Sequence, residues 1–172
     1  MNLKFALIAP LSIALAAPAF AASAPTDPQI AHIAYTAGVI DIAAGKQALA
    51  KSHNKAVRGF AEEMVRDHKA VNDKALALVK KLKVTPQDNP TSQALNKGAK
   101  AELAKLAKLN GAAFDRAYVD NEVAYHKTVN GALASTLIPN AHNAELKSLL
   151  ETGLTLFKEH QAHAEQIAKE LK

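Results

Sequence analysis

Four long segments of this chain repeat apolar residues every three or four positions, and that period constrains it to a stack of helices. Ile30, Ala34, Ala37, Ile40, Ala44 and Ala48 mark helix A, over about residues 28–51. Val57, Phe60, Met64, Val71, Ala75, Leu78 and Leu82 mark helix B, over about residues 55–83. Phe114, Tyr118, Val129 and Leu133 lie on the inner face of helix C, residues 112–136. Leu146, Leu150, Phe157, Ala164, Ile167 and Leu171 make the stripe of helix D, residues 143–171. No segment alternates with the two-residue period of a strand.

The punctuation agrees with the stripes. Thr26 or Asp27 caps helix A, with Pro28 at its first position. Ser52-His53-Asn54 makes a tight turn in which Asn54 caps helix B. Thr85 to Pro90 breaks the chain before a short helix at residues 92–109, which ends at Asn110-Gly111. Pro139 stops helix C. Helices of this length reach ~37 Å, and the short A–B and C–D turns make antiparallel hairpins. The short extra helix between B and C can carry the chain back, which would set B and C parallel. The expected fold is therefore all-α, a four-helix bundle with a short crossover helix between helices B and C.

The N-terminus predicts a compartment. Lys4 precedes an apolar run from Phe5 to Ala17, and Ala19-Phe20-Ala21 has the small-x-small pattern of a signal peptidase site. The run is too short for a comfortable membrane span. Residues 1–21 are thus expected to be a cleaved signal peptide, with Ala24 as a second cleavage choice, residues 22–27 a linker, and residues 28–172 the helical domain of a periplasmic protein. No later segment is apolar enough to cross a membrane. Residues 1–21 hold one charged side chain, Lys4, so cleavage takes the formal net charge from +5 to +4. Lys97, Lys100, Lys105 and Lys108 read first as a solvated face, and leave room for weak contact with an anionic envelope surface. Nucleic acid is not an expected partner, because no aromatic interleaving or binding motif accompanies the charge. No protein partner can be named. The 172 residues contain no cysteine, which excludes disulfides, thiolate metal sites and a cysteine nucleophile.

Polar residues interrupt the apolar stripes. His68 falls between Met64 and Val71 on helix B, His160 between Phe157 and Ala164 on helix D, and His126 between Tyr118 and Val129 on helix C. Glu122 sits one turn before His126, Asp41 flanks the stripe of helix A, and Asp67 flanks that of helix B. One histidine on an apolar face is ordinarily a hydrogen-bonded core residue. Three on three helices, with carboxylates nearby, make a candidate metal site of His68, His126, His160, Asp41, Asp67 and Glu122. Asp67 could instead pair with Arg66 or Lys69, and Glu122 with His126 could merely steady its own helix. His160 and His163 have the spacing of a two-histidine ligand pair, a weak signal. His32, His53 and His142 fall near helix starts or turns and carry no expected role. Axial alignment leaves open whether His160 is level with the other two. Burial is expected to lower the histidine pKa values, whereas nearby carboxylates would raise them.

Two segments carry a resemblance, Phe60-Ala61-Glu62-Glu63-Met64-Val65-Arg66-Asp67-His68 and Gly111-Ala112-Ala113-Phe114-Asp115-Arg116-Ala117-Tyr118, with His126 and His160 following at matching positions. Over essentially the whole mature chain the sequence resembles the exported domain-of-unknown-function 4142 family of the ferritin-like superfamily. Thr155 stands where that family usually has proline, and Asp41 where it commonly has glutamate. The resemblance implies a ferritin-like bundle in the envelope and no established reaction. No histidine here has a glutamate three residues before it, so the Glu-x-x-His pattern of di-iron carboxylate sites is missing and di-iron is disfavoured. Nitrogen-rich ligands point to zinc, copper(II) or nickel; copper(I) is disfavoured by the want of cysteine. The leading expectation is a metal-binding or stress-related envelope bundle. The alternative is a structural or partner-binding module whose inner network only fixes helix packing. An enzyme is the disfavoured class, since no nucleophile, phosphate-loop or metalloprotease motif is present.

Overall fold

The computed structural model describes residues 24–171, so the expected signal peptide lies outside the described residues. Among those described, the architecture is all-helical with no strand. Helix α1 spans Asp27–Lys51, α2 Lys55–Lys81, α3 Pro90–Ala107, α4 Gly111–Ala132 and α6 Ala144–Glu170. Between α4 and α6 lie a π-turn, Leu133–Leu137, and a single helical turn, α5, Ile138–Asn140. No described helix is long and apolar enough to cross a membrane.

Each end follows from local chemistry. The Gln29 side chain accepts from the Thr26 backbone N–H, as a capping residue does. Asn54 and Asn143 each accept from two backbone N–H groups at the starts of α2 and α6. The α2 C-terminus closes with Val84 N–H donating to Val79 O and Lys83 N–H to Lys80 O. This is the paired pattern that needs a left-handed residue, and Lys83 supplies it at φ 54. Gly111, at φ +55, takes the same conformation between α3 and α4 without strain. The sequence predicts that Pro139 stops helix C at about Thr136. Instead the helix widens into the π-turn, where Ile138 N–H reaches back to Leu133 O, and runs on through Pro139 to Asn140. The wider turn gives the proline ring space that a regular helix would deny it.

Pairs of contacts fix the directions. Gly38 lies against Asn72 and Gly45 against Ala61 and Met64, so α1 and α2 are antiparallel. Arg116 bonds Leu171 and Asn130 bonds the Phe157 carbonyl, so α4 and α6 are antiparallel. The ring pairs Phe60–Tyr118 and His68–His126 advance together along α2 and α4, which therefore run parallel. Helix α3 lies along α1 in the same direction. Asn89 donates to the Gln29 carbonyl, Gln47 to that of Leu103 and Lys51 to that of Ala107. The Asp27 carboxylate accepts from the backbone N–H groups of His142 and Asn143 at 2.9 and 2.8 Å, tying the start of α1 to the start of α6.

The core forms two apolar clusters. One joins Ala44, Ala48, Val57, Phe60, Met64, Phe114, Tyr118 and Ile167 near the α1–α2 turn. The other joins Ile30, Ile33, Leu133, Leu137, Leu146, Leu150 and Phe157 near the start of α6. Between them lies a polar layer.

Candidate functional site

The layer is built by continuing the apolar stripes through polar residues. On α2, Phe60, Met64, His68 and Asn72 succeed one another at four-residue steps, all buried. On α4 the same step gives Phe114, Tyr118, Glu122, His126 and Asn130, all buried. On α6, His160 stands between Phe157 and Ala164, and on α1, Asp41 stands between Ala37 and Ala44. Four-residue steps keep side chains on one helix face, so these polar groups cannot turn to solvent without pulling their apolar neighbours with them.

The three histidines meet. Ring centroids are 5.7 Å apart for His68 and His126, 5.4 Å for His68 and His160, and 5.5 Å for His126 and His160. Helix periodicity left the height of His160 open; the structure sets it level with the other two. One ring nitrogen from each lies within 4.8 Å of the others, and all three side chains are buried. Asp41, also buried, places Oδ2 3.2 Å from His68 Nε2 and 3.7 Å from His126 Nε2. Glu122 Oε2 is 3.5 Å from His126 Nδ1. Phe157 stacks on His68, centroids 4.5 Å apart and planes 14° from parallel.

Asp67 occupies a different position from the other five residues. It is half-buried on the α2–α6 face, held by Arg66 at 2.7 and 3.0 Å and by His160 Nε2 at 3.2 Å. Asp67 thus makes the pair with Arg66 that the sequence offered, and it also touches His160. Glu63 joins Asp67 and His160 as a second, more exposed set of metal-capable groups. Glu63 was not anticipated as a site residue, although it stands four residues before Asp67 and so shares its face. His163 does not join His160: it is largely exposed and pairs with Glu63 at 2.7 Å. His32 approaches Asp88 at 3.9 Å, far from the layer, and Lys97, Lys100, Lys105 and Lys108 are exposed along α3 and its end.

The hydrogen bonds locate one proton. A backbone carbonyl can only accept, so His126 Nδ1, 3.0 Å from the Glu122 carbonyl, carries a hydrogen. In the neutral ring Nε2 then presents a lone pair toward Asp41. Several buried polar atoms of the layer have no protein partner: both ring nitrogens of His68, His126 Nε2, His160 Nδ1, Asp41 Oδ1, Glu122 Oε2 and the Tyr118 hydroxyl. His68 Nε2 is near Asp41 but out of hydrogen-bonding alignment. Buried polar atoms are ordinarily satisfied, and so many orphans in one layer demand an explanation.

Burial favours the neutral form of two of the three imidazoles, His68 and His160. Burial pushes the His68 pKa down to about 4, against the raising influence of Asp41. Burial also lowers that of His160, opposed by its hydrogen bond to Asp67. Arg66 holds Asp67 below the usual carboxylate range. Glu122 goes the other way: burial and then the neighbouring Asp41 push its pKa well up. Neutral imidazoles beside a carboxylate are the donor set of a borderline transition metal, and the orphaned ring nitrogens fit such an ion.

Tyr118 and Tyr125 were not anticipated near the centre. Both titrate well above the ordinary tyrosine range, through burial first and then the charges of Glu122 and Asp41, and Tyr125 donates to the Ala37 carbonyl at 3.0 Å. Tyr118 lies on the four-residue stripe of α4, where it reads as ordinary core. No curated protein and no solved structure matches the chain. The family model described as domain of unknown function (DUF4142) matches residues 13–167, and the chain belongs to that family.

Proposed function

We propose that this protein is an exported, ferritin-like four-helix bundle of the periplasm that binds one divalent transition metal, zinc, copper(II) or nickel, in its polar layer. The observation that carries this reading is the set of unpartnered ring nitrogens on His68, His126 and His160, with the Asp41 carboxylate beside the first two, in a buried layer between two apolar clusters. His68, His126, His160 and Asp41 would hold the ion. Glu122 would stand beside it, and its backbone carbonyl fixes the tautomer of His126 so that Nε2 is free. Asp67 lies outside this set and orients His160 from the α2–α6 face. Parallel α2 and α4, with α3 running between the hairpins, suit a ferritin-like arrangement, and the signal-like pattern of residues 1–21 supports export. A metal-holding role under envelope stress fits such a site; no reaction is assigned.

Equilibrium dialysis of the demetallated protein against zinc, copper(II) and nickel, followed by elemental analysis, tests the reading. One ion per chain at micromolar concentration is expected, lost in His126→Leu. No uptake of any of the three metals sinks it. The direct contacts His68–Asp41 and His160–Asp67 favour a second reading, in which the network only fixes helix register. Higher stability of His68→Leu with unchanged metal uptake would select that reading.

A further inference from the structure

The apolar cluster near the start of α6 surrounds a cavity of about 680 Å³. It exists because α1 and α2 present small side chains there, Ala31, Ala34, Ala37, Gly38 and Ala75. At the other end Phe60 and Met64 of α2 pack with Phe114 and Tyr118 of α4, all fully buried. The cavity opens to solvent, so its apolar wall is surface that an apolar ligand would remove from water. Water is a poor filler for a wall that offers it few partners.

The wall describes the occupant. No charged residue lines the cavity. Its apolar lining residues Ala34, Val71, Ala75, Val79, Leu95 and Val129 are only half-buried, which is the state of side chains whose packing partner is missing. The polar groups that line it are all uncharged: Gln29, Thr91, Thr128, Thr136 and Asn140 are partly or fully exposed, whereas Asn72 and Asn89 are buried. The volume falls within the ~300–1,000 Å³ of pockets that take one small molecule. A peptide would bring backbone groups that this wall could not satisfy.

We propose that the cavity binds a single uncharged amphiphile, an alkyl chain ending in a hydroxyl, carbonyl or ester. The chain lies against the alanine faces of α1 and α2 and the polar end sits among the threonines and amides. Phe157 lines the cavity with its ring while stacking on His68. The ligand therefore reaches to within one ring of the histidine layer, yet binds whether or not that layer holds a metal.

The uncharged fluorophore N-phenylnaphthylamine is the probe, titrated into the purified demetallated protein. Saturable binding at one site per chain is expected, displaced by dodecanol and not by dodecanoate, because no cation lines the wall to receive a carboxylate. Ala34→Phe and Ala75→Phe each project a ring into the space and are expected to weaken binding by about tenfold or more. Circular dichroism verifies that each variant is folded. Dodecanol should also move the His68 ring-proton resonance, since it seats on the ring stacked against that side chain. Absence of saturable binding, binding that both folded variants leave unchanged, equal displacement by dodecanoate, or an unmoved His68 resonance would each overturn the proposal. None of these readouts depends on metal, so failure here is distinguishable from failure of the metal reading.

Discussion

The two ends of this protein are built from the same helices and the same apolar stripes, yet they pack differently. Toward the α1–α2 turn, Val57, Phe60, Ala61, Met64, Phe114, Tyr118 and Val119 are all 0% exposed. Toward the start of α6, the continuation of the α2 stripe through Val71, Ala75, Leu78 and Leu82 is only half-buried, and Val71 and Ala75 line the cavity. The first end has large aromatics on α2 and α4 facing small residues on α1, Ala44, Gly45 and Ala48. At the second, α1 and α2 set small residues, Ala31, Ala34, Ala37, Gly38 and Ala75, among their larger ones, opposite Leu133, Leu146, Leu150 and Phe157. Gly45 shows how tight the first end is: a side chain there would meet the Ala61 carbonyl at 3.1 Å. The lesson is that a continuous stripe can serve stability over half its length and leave a binding space over the other half. The histidine layer sits at the boundary, closed on one side by packed core and on the other by Phe157.

The contrast can be broken most directly at Phe60. Phe60→Ala is expected to destabilise by about 3–5 kcal/mol in denaturant unfolding, because the packed end has no room to collapse into the space left behind. A cost below that of an ordinary surface substitution would show that the two ends are equally loose.

The layer itself should respond to acid. The folded pKa of His68, about 4, lies below its unfolded value near 6.5. The unfolded chain therefore takes up its proton first as pH falls, and stability is lost between about pH 6.5 and 4, amounting to roughly 3 kcal/mol from this one group. Glu122 contributes with the opposite sign. Its folded pKa is raised, so its contribution is complete below the unfolded carboxyl value and declines as pH rises. The loss from Glu122 begins above the unfolded carboxyl value and offsets the gain from His68 as pH rises, and Glu122→Gln should remove that loss and leave the rise due to His68. Thermal melts across pH 4 to 9, with chelator, measure both; a curve that stays flat in wild type and variant alike would exclude this pairing of charges.

A matched pair sharpens the comparison at finer scale. Val57→Ala and Val71→Ala remove the same atoms from the same stripe of α2, at the packed end and beside the cavity. The first is expected to cost roughly 2 kcal/mol and the second less than about half of that, because Val71 is already partly unburied. Equal costs from chemical denaturation would mean that the cavity is filled as densely as the other end.

The smallest expected effect is a gain. Lys83 holds a left-handed conformation at the end of α2, where glycine is at ease. Lys83→Gly should raise stability by about 1 kcal/mol, read as a higher midpoint in urea. A loss would indicate that the lysine side chain makes a contact worth more than its backbone strain.

Much of this was legible in the sequence, because helices announce themselves locally. The period of apolar residues, Asn54 as a cap, Asn110-Gly111 at the end of α3 and the placement of His68, His126 and His160 on inner faces each depend on neighbours a few residues away. The end of α4 was misjudged at Pro139, since a widened turn that accommodates a proline leaves no periodic trace. What the sequence could not decide was register and spacing between helices. Periodicity tells which face of α6 turns inward, but its height depends on turn lengths and on how side chains of unlike size settle against one another. Only the folded arrangement set His160 level with His68 and His126, brought Asp41 from the flank of a stripe into their midst, moved Asp67 out to the α2–α6 face, and turned a run of alanines into a cavity. Those outcomes are properties of pairs of helices. Because close packing is a relation between surfaces, no single strip of sequence contains it.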